Sequence, residues 1–152
     1  MRAKKWILAV LTVLVVSFIF IRSSMSAVES SGESSSVLQL FERLTSFFHI
    51  PLLFDDYSIR KLAHFTEFAV FGVMMSWTVR EFSENFKGQI FKILFFLLAV
   101  PVTDETIQYF PAGRSAEVRD VLIDFGGALT GFLILAMCYI FIAEKKAKKK
   151  QS

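Results

Sequence analysis

The side chains of this 152-residue chain that could do chemistry lie between positions 61 and 124. His64 is the natural proton carrier, because it alone among them titrates near neutral pH. Glu67, one helical turn further on, would orient His64 or share its proton. Arg114 offers a planar, permanently charged fork that suits a phosphate or pyrophosphate. The other candidate residues are Lys61, Asp104, Glu105, Gln108, Asp120 and Asp124.

A divalent cation is the alternative chemistry for the same group of residues. Asp104 and Glu105 could bind one together with His64, but no dense ligand spacing demands it. We therefore predict no metal ligand and no cofactor. Because Cys138 is the single cysteine, a disulfide framework and a Cys-rich zinc site are excluded. The sequence also has no nucleophile elbow, Gly-rich phosphate loop or nucleotide fingerprint.

The composition indicates which elements position these residues. Hydrophobic residues make up 54% of the chain, 18 residues are Phe, and only 20% are charged, so the chain is more apolar than an average soluble domain. Four apolar stretches predict an all-α fold, a four-helix transmembrane bundle. The first helix covers residues 1–22, and the other spans cover about 62–79, 90–110 and 121–143.

Two of these spans have a second interpretation. Residues 1–26 also have the layout of a cleaved signal peptide, but the apolar run is longer than usual and more spans follow, which favours an uncleaved helix. The third span has a clean apolar core of only ten residues, Ile93–Val102. Because about 20 residues are needed to cross the hydrocarbon, this span must either lean on helices that shelter its polar end or re-enter.

The loop at residues 23–59 and the tail at residues 144–152 lie outside the membrane domain, which covers residues 60–143. The loop begins as a Ser-rich linker and continues with apolar residues at helical spacing over 37–48. That pattern predicts a short amphipathic helix on the membrane surface. The Lys-rich tail is most simply an anchor against anionic lipid. We therefore predict membrane lipids and no nucleic acid as partners, and no particular oligomer.

The distribution of basic residues predicts the orientation. With both termini in the cytoplasm, 11 of the 17 Lys and Arg residues lie inside and six lie outside. The polar residues of spans two, three and four then all fall within about 9 Å of the outer surface. Such groups normally face a bundle interior or a wet cavity, because contact with lipid is costly. The sequence therefore predicts one outward-facing polar layer.

Packing between the spans also has a signature. Gly127 and Gly131 form a small-xxx-small edge that would bring the fourth span close to a neighbour and draw the acidic residues together. Lone charged residues near helix ends are often snorkelling anchors or structural ion pairs. That simpler interpretation is favoured for Arg60, Lys61 and Arg119.

Three motifs occur in the order of a known family. They are Lys61-x-x-His64-Phe65-x-Glu67-Phe68, then Asp104-Glu105-x-x-Gln108 with Pro111-x-x-Arg114, then Asp120-x-x-x-Asp124-x-x-Gly127-x-x-x-Gly131. The stretch from Arg60 to Gly131 thus resembles the VanZ-like family of bacterial multi-pass membrane proteins. It departs from the family's pattern at Asp124, where the family often has Asn, and after Pro111, where the turn is one residue longer than the most compact form.

The resemblance implies a protein of the bacterial plasma membrane that acts on a lipid head group or a lipid-linked cell-wall intermediate, with a link to resistance to the glycopeptide teicoplanin. The catalytic candidates are then His64, Glu67, Asp104 and Glu105, and the substrate-binding candidates are Lys61, Gln108, Arg114, Asp120 and Asp124. A non-catalytic protein that binds a lipid or a glycopeptide stays open as the alternative, as does a purely structural polar cluster. Four short spans without a repeat disfavour a transporter.

Overall fold

Four helices form the part of the chain that this computed structural model describes, which is residues 2–28, 55–83 and 85–151. They are α1 (Arg2–Ser23), α2 (Asp56–Phe82), α3 (Ile90–Gln108) and α4 (Val118–Gln151), with a short 3-10 turn at Lys87–Gln89 before α3. Every regular element in these ranges is helical, so the prediction of an all-α fold is confirmed. The amphipathic helix predicted over 37–48 lies outside the described residues.

Three of the helices are long and apolar enough to cross a membrane. The candidate spans are Ala3–Ser23, Tyr57–Phe82 and Val118–Ile142. Helix α3 is not among them, since its 19 residues include Lys92, Asp104 and Glu105. The weakness that the sequence predicted for the third span is therefore also found in the structure.

Helix α2 begins several residues before the predicted span. Asp55 caps its N-terminus by accepting a hydrogen bond of 2.9 Å from the Ser58 backbone N–H. This hydrogen bond satisfies one of the free backbone N–H groups of the first helical turn. Hydrogen bonds from Ser58 also lower the pKa of Asp55, because they favour the charged carboxylate.

Helices α2 and α4 run parallel and approach each other closely through small residues. A Cβ atom added to Gly127 would overlap the carbonyl oxygen of Phe65, and one added to Gly131 would overlap that of Ala69. Gly72 on α2 faces the Ala128 carbonyl oxygen in the same way. The small-xxx-small edge predicted for the fourth span is thus the contact between α2 and α4.

Helix α1 packs antiparallel to α2 and becomes part of the core. Ile19 is buried together with Phe68 and Phe71 of α2, and the Thr12 hydroxyl forms a hydrogen bond of 2.8 Å with the Thr78 hydroxyl. Hydroxyl pairs of this kind hold helices together where lipid offers no competing partner.

Helix α3 buries a single stripe that changes character along its length. The stripe is apolar in its first half and polar in its second half. Its residues are Ile93, Leu97, Pro101, Asp104, Glu105 and Gln108. The helix therefore leans on its neighbours, which shelter its polar end, as one of the two sequence interpretations required.

The two ends of the bundle differ. We call the end that holds His64, Asp104 and Asp124 the polar end. At the other end, called the terminal end, α1 begins and the last turns of α4 lie nearby, because Lys4 pairs with Glu81 at 2.7 Å and the Arg80 guanidinium lies 3.3 Å from the Tyr139 ring centroid. Both ends of the described chain are thus on the same side of the bundle.

Candidate functional site

Three helices each contribute one side chain to the centre of the polar end. These side chains are His64 from α2, Asp104 from α3 and Asp124 from α4, and each offers one nitrogen or oxygen atom within 4.8 Å of the other two. His64 Nδ1 lies 3.9 Å from Asp124 Oδ2. Asp104 is fully buried and Asp124 is 2% exposed. An imidazole and two carboxylates held this close have the ligand types of a divalent-cation site.

The carboxylate of Asp104 is fixed from two sides. Ser23 at the end of α1 donates its hydroxyl to Asp104 Oδ1 at 2.5 Å, and Gln108 donates Nε2 to Oδ2 at 2.8 Å. Asp104 and Gln108 are four residues apart, so they lie on the same face of α3. These contacts hold the Asp104 side chain in one orientation, toward the site's centre.

Two ion pairs flank this centre. Arg22 of α1 pairs with Glu67 of α2, and Lys61 of α2 pairs with Asp120 of α4. The Lys61 ammonium also lies 5.3 Å from the centroid of the Tyr57 ring, within the distance of a cation–π contact. Each pair joins residues of two different helices that are far apart in the sequence. The pairs therefore help to fix how these helices pack.

The connection between α3 and α4 covers the site. Glu105 Oε1 accepts the backbone N–H of Glu117 at 2.7 Å, and Arg114 Nη1 donates to the backbone carbonyl of Ser23 at 3.2 Å. Gly113 takes a φ of 76° in the turn before Arg114, a conformation that favours glycine. Burial, and to a smaller extent the charge of Arg60, lower the pKa of Arg114, while its guanidinium stays charged at neutral pH. Arg114 is thus a partly desolvated cation.

A polar pocket opens beside these residues. It holds about 110 Å³, several times the roughly 30 Å³ that one water molecule occupies in the liquid. Three cations line this pocket together with the imidazole of His64, which also belongs to the central group of three side chains. The charged and polar lining residues that bear on its chemistry are Arg60, Lys61, His64, Gln108, Arg114, Glu117 and Asp120.

Several carboxylate oxygens in this region are buried without a hydrogen-bond donor among the described residues. They are Asp124 Oδ2, Asp120 Oδ1 and Glu105 Oε2. A buried carboxylate oxygen that lacks a donor is costly. Glu67 and Asp120 each have an ion-pair partner. Among the described residues, Asp104, Glu105 and Asp124 have no direct ion pair with a Lys or Arg side chain.

The structure places every residue that the sequence proposed for the site at the polar end. His64, Asp104 and Asp124 meet at its centre, Lys61 and Asp120 pair, and Gln108 supports Asp104. Glu105 binds the connection that carries Arg114. Glu67 forms an ion pair with Arg22 of α1. Its predicted action on His64 and the catalytic and binding roles of all these residues stay predictions.

Sequence reasoning missed two residues of α1. Ser23 donates to Asp104 and its carbonyl accepts from Arg114, while Arg22 pairs with Glu67. Both lie at the end of the first span, at the depth already assigned to the polar layer. Their position at this depth was the sequence signal that could have identified them as residues of the site.

The fold and the site together define a helical membrane protein with a buried polar cluster at one end of its bundle. The family model of VanZ/LLP1 matches residues 8–141, and the chain belongs to this family. The match includes α1 as well as the stretch that carries the motifs. No curated protein and no solved structure matches the chain.

Proposed function

We propose that the protein is a multi-pass protein of a bacterial plasma membrane whose polar end faces outward. Two observations support this orientation. Both ends of the described chain lie at the terminal end of the bundle, as an even number of crossings requires. The basic residues, 11 against six, favour the cytoplasm for that end. The polar pocket would then open toward the cell envelope.

In this proposal the pocket binds the phosphate of a lipid head group or of a lipid-linked cell-wall intermediate. The observation that carries it is that three cations, Arg60, Lys61 and Arg114, line one polar pocket. Arg114 matters most, because its partly buried guanidinium can bind two phosphate oxygens in parallel. An anion in the pocket would also relieve the unfavourable burial of this cation.

His64 is the group that would act on the bound molecule. It lines the pocket, and on its other side the Asp124 Oδ2 atom lies 3.9 Å from its Nδ1 atom. A water or hydroxyl bound in the pocket would give its proton to this imidazole, and the nearby carboxylate would stabilise the charge that forms. A binding protein without catalysis is the second candidate, and the burial of the site's carboxylates favours it, because a rigid polar cluster can hold a head group without reacting. A link to teicoplanin resistance rests on the family resemblance alone.

The test compares lipids and lipid-linked cell-wall precursors in a deletion strain complemented with wild type, Arg114→Gln or Arg119→Gln at matched protein levels. Arg119 is exposed and does not line the pocket, so Arg119→Gln is the matched control. We expect a phosphate-bearing species to accumulate in the deletion strain and with Arg114→Gln, and to be cleared by wild type and the control. Identical profiles in all strains would overturn the proposal that the pocket acts on such a lipid.

A His64→Ala variant separates the two candidates. If the purified variant still retains the phosphate-bearing lipid in native mass spectrometry while the species accumulates in cells, His64 acts on the lipid after binding. If wild type and His64→Ala retain the lipid equally and the cellular profile of the variant matches that of wild type, the binding function is favoured.

A further inference from the structure

We propose that His64, Asp104 and Asp124 bind a divalent transition-metal ion, such as Zn²⁺ or Mn²⁺, at the floor of the polar pocket. This site would use Asp124, and not Glu105, as the second carboxylate. It goes beyond the binding of a lipid phosphate and does not require it, because the three ligand atoms are assembled by the protein alone.

The geometry of the three side chains is close to that of a coordination site. An ion at the centre of three atoms that are 4.8 Å apart would lie about 2.8 Å from each of them. Zinc bonds to His nitrogen and carboxylate oxygen are roughly 2.0–2.2 Å long. Shifts of less than about 1 Å in each side chain therefore suffice. Since the three residues come from three different helices, the ion would also fasten α2, α3 and α4 together.

Asp124 supplies the independent sign that a ligand belongs here. Its residue is 2% exposed, and its Oδ2 atom accepts no hydrogen bond within the described part of the chain. The same atom faces His64 Nδ1 at 3.9 Å, too far for a direct hydrogen bond. A buried carboxylate oxygen without a donor, directed toward an imidazole nitrogen, is what removal of a shared cation would leave.

The surroundings provide the second layer of contacts that metal sites usually have. Ser23 and Gln108 both donate to Asp104, and ligating carboxylates are commonly held by such hydrogen bonds. The charges agree as well. Glu67 and Asp120 are already paired with cations, so a divalent ion would balance the two carboxylates at the centre.

The position of His64 gives the site an open side. His64 belongs both to the group of three ligands and to the lining of the pocket. Three protein ligands with one position open to a cavity are typical of catalytic zinc sites. A phosphate oxygen or a water molecule in the pocket could therefore complete the coordination. A mixed nitrogen and oxygen ligand set favours transition-metal ions over Mg²⁺ or Ca²⁺, which prefer oxygen alone.

The experiment uses the full chain purified in detergent, stripped with a chelator and then equilibrated with Zn²⁺ or Mn²⁺. Metal content is measured by mass spectrometry of the desalted protein, and affinity by competition with a chelator. We expect one ion per wild-type chain. The Asp124→Asn and Asp104→Asn variants should bind the ion at least about 10-fold more weakly than wild type. The Ser23→Ala variant keeps all three ligands but loses a hydrogen bond to Asp104, and should bind the ion about 10-fold more weakly.

The controls separate this site from surface binding and from the lipid proposal. Glu81→Gln, at the terminal end, should keep the ion at full affinity. Arg114→Gln should also keep it while losing the phosphate lipid, so the two proposals can fail separately. The ion should raise the thermal unfolding midpoint of wild type. The Asp124→Asn variant should unfold cooperatively, which shows that it is folded, but its midpoint should not change with the ion. Wild type that takes up neither ion, or equal uptake by wild type and Asp124→Asn, would overturn the proposal, as would binding of Mg²⁺ alone.

Discussion

The two ends of the bundle use similar residue types for different purposes. At the terminal end, Lys4 and Glu81 form one ion pair with side chains 57% and 26% exposed, and Arg80 stacks on Tyr139. At the polar end, the Asp124 side chain is 3% exposed and Asp104 is fully buried. Among the residues that the structure describes, acids there outnumber the cations directly paired with them. The first arrangement anchors helices near a membrane surface. The second is costly for stability unless a ligand or a cation balances its buried charges.

The largest expected effect comes from separating the helices of the polar end. Gly127→Ala places a Cβ against the Phe65 carbonyl oxygen, next to His64, and should lower the free energy of unfolding by about 3 kcal/mol. The neighbouring Gly126 is the matched control, because a Cβ there would lie 3.8 Å from the Phe65 ring. Gly126→Ala should be neutral or stabilise the helix by up to about 1 kcal/mol. Unfolding in detergent with increasing SDS measures both.

If Gly126→Ala and Gly127→Ala destabilise the protein equally, the close contact between α2 and α4 is not what holds the polar end together. If Gly127→Ala loses metal or lipid binding and Gly126→Ala keeps it, the close contact between α2 and α4 also positions the residues of the polar end.

A smaller effect is expected from removing one cation at each end. Arg22→Met leaves Glu67 without its α1 partner in a partly buried position, and should lower the free energy of unfolding by about 2 kcal/mol. Lys4→Met breaks an exposed pair and should cost less than about 1 kcal/mol. The same SDS unfolding series measures the difference. Equal costs would mean that burial does not distinguish the two ends energetically.

The smallest expected effect is a pair of stability changes that have opposite signs at the two ends of the bundle. Asp124→Asn removes a buried carboxylate whose Oδ2 atom has no donor among the described residues, and should raise the stability of the metal-free protein by about 1 kcal/mol. Glu81→Gln removes one member of an exposed pair and should lower stability only slightly. Thermal unfolding in the presence of a chelator checks both. A loss of stability in Asp124→Asn would show that this carboxylate contributes to the fold itself.

Much of the fold could be predicted because its causes are local. The apolar stretches predict four helices, and the spacing of Gly127 and Gly131 predicts a close helix contact. The pairing of Asp104 with Gln108 follows from their separation by one turn. The polar half of α3 could likewise be assigned to a sheltered face, because lipid would not solvate it.

The partners of the site residues could not be predicted in the same way. Asp104 and Glu105 are consecutive, so they point about 100° apart around α3; Asp104 faces His64, whereas Glu105 binds the backbone of Glu117. The position of Asp124 opposite His64 and that of Arg22 beside Glu67 depend on which helices become neighbours. Helix packing order is set by the whole bundle and is not encoded in any one motif.

The polar half of α3 affects how the protein can enter a membrane during synthesis. Asp104 accepts a hydrogen bond from Ser23, a residue that is synthesised before it. Glu105 instead accepts from the backbone N–H of Glu117, a residue that is synthesised later. On leaving the ribosome, α3 is therefore too polar to settle alone in lipid. It must wait beside α1 and α2 until α4 follows, so the last two helices are expected to insert as one hairpin. A chain truncated before Val118 and released from the ribosome should then leave α3 accessible to water-soluble labels.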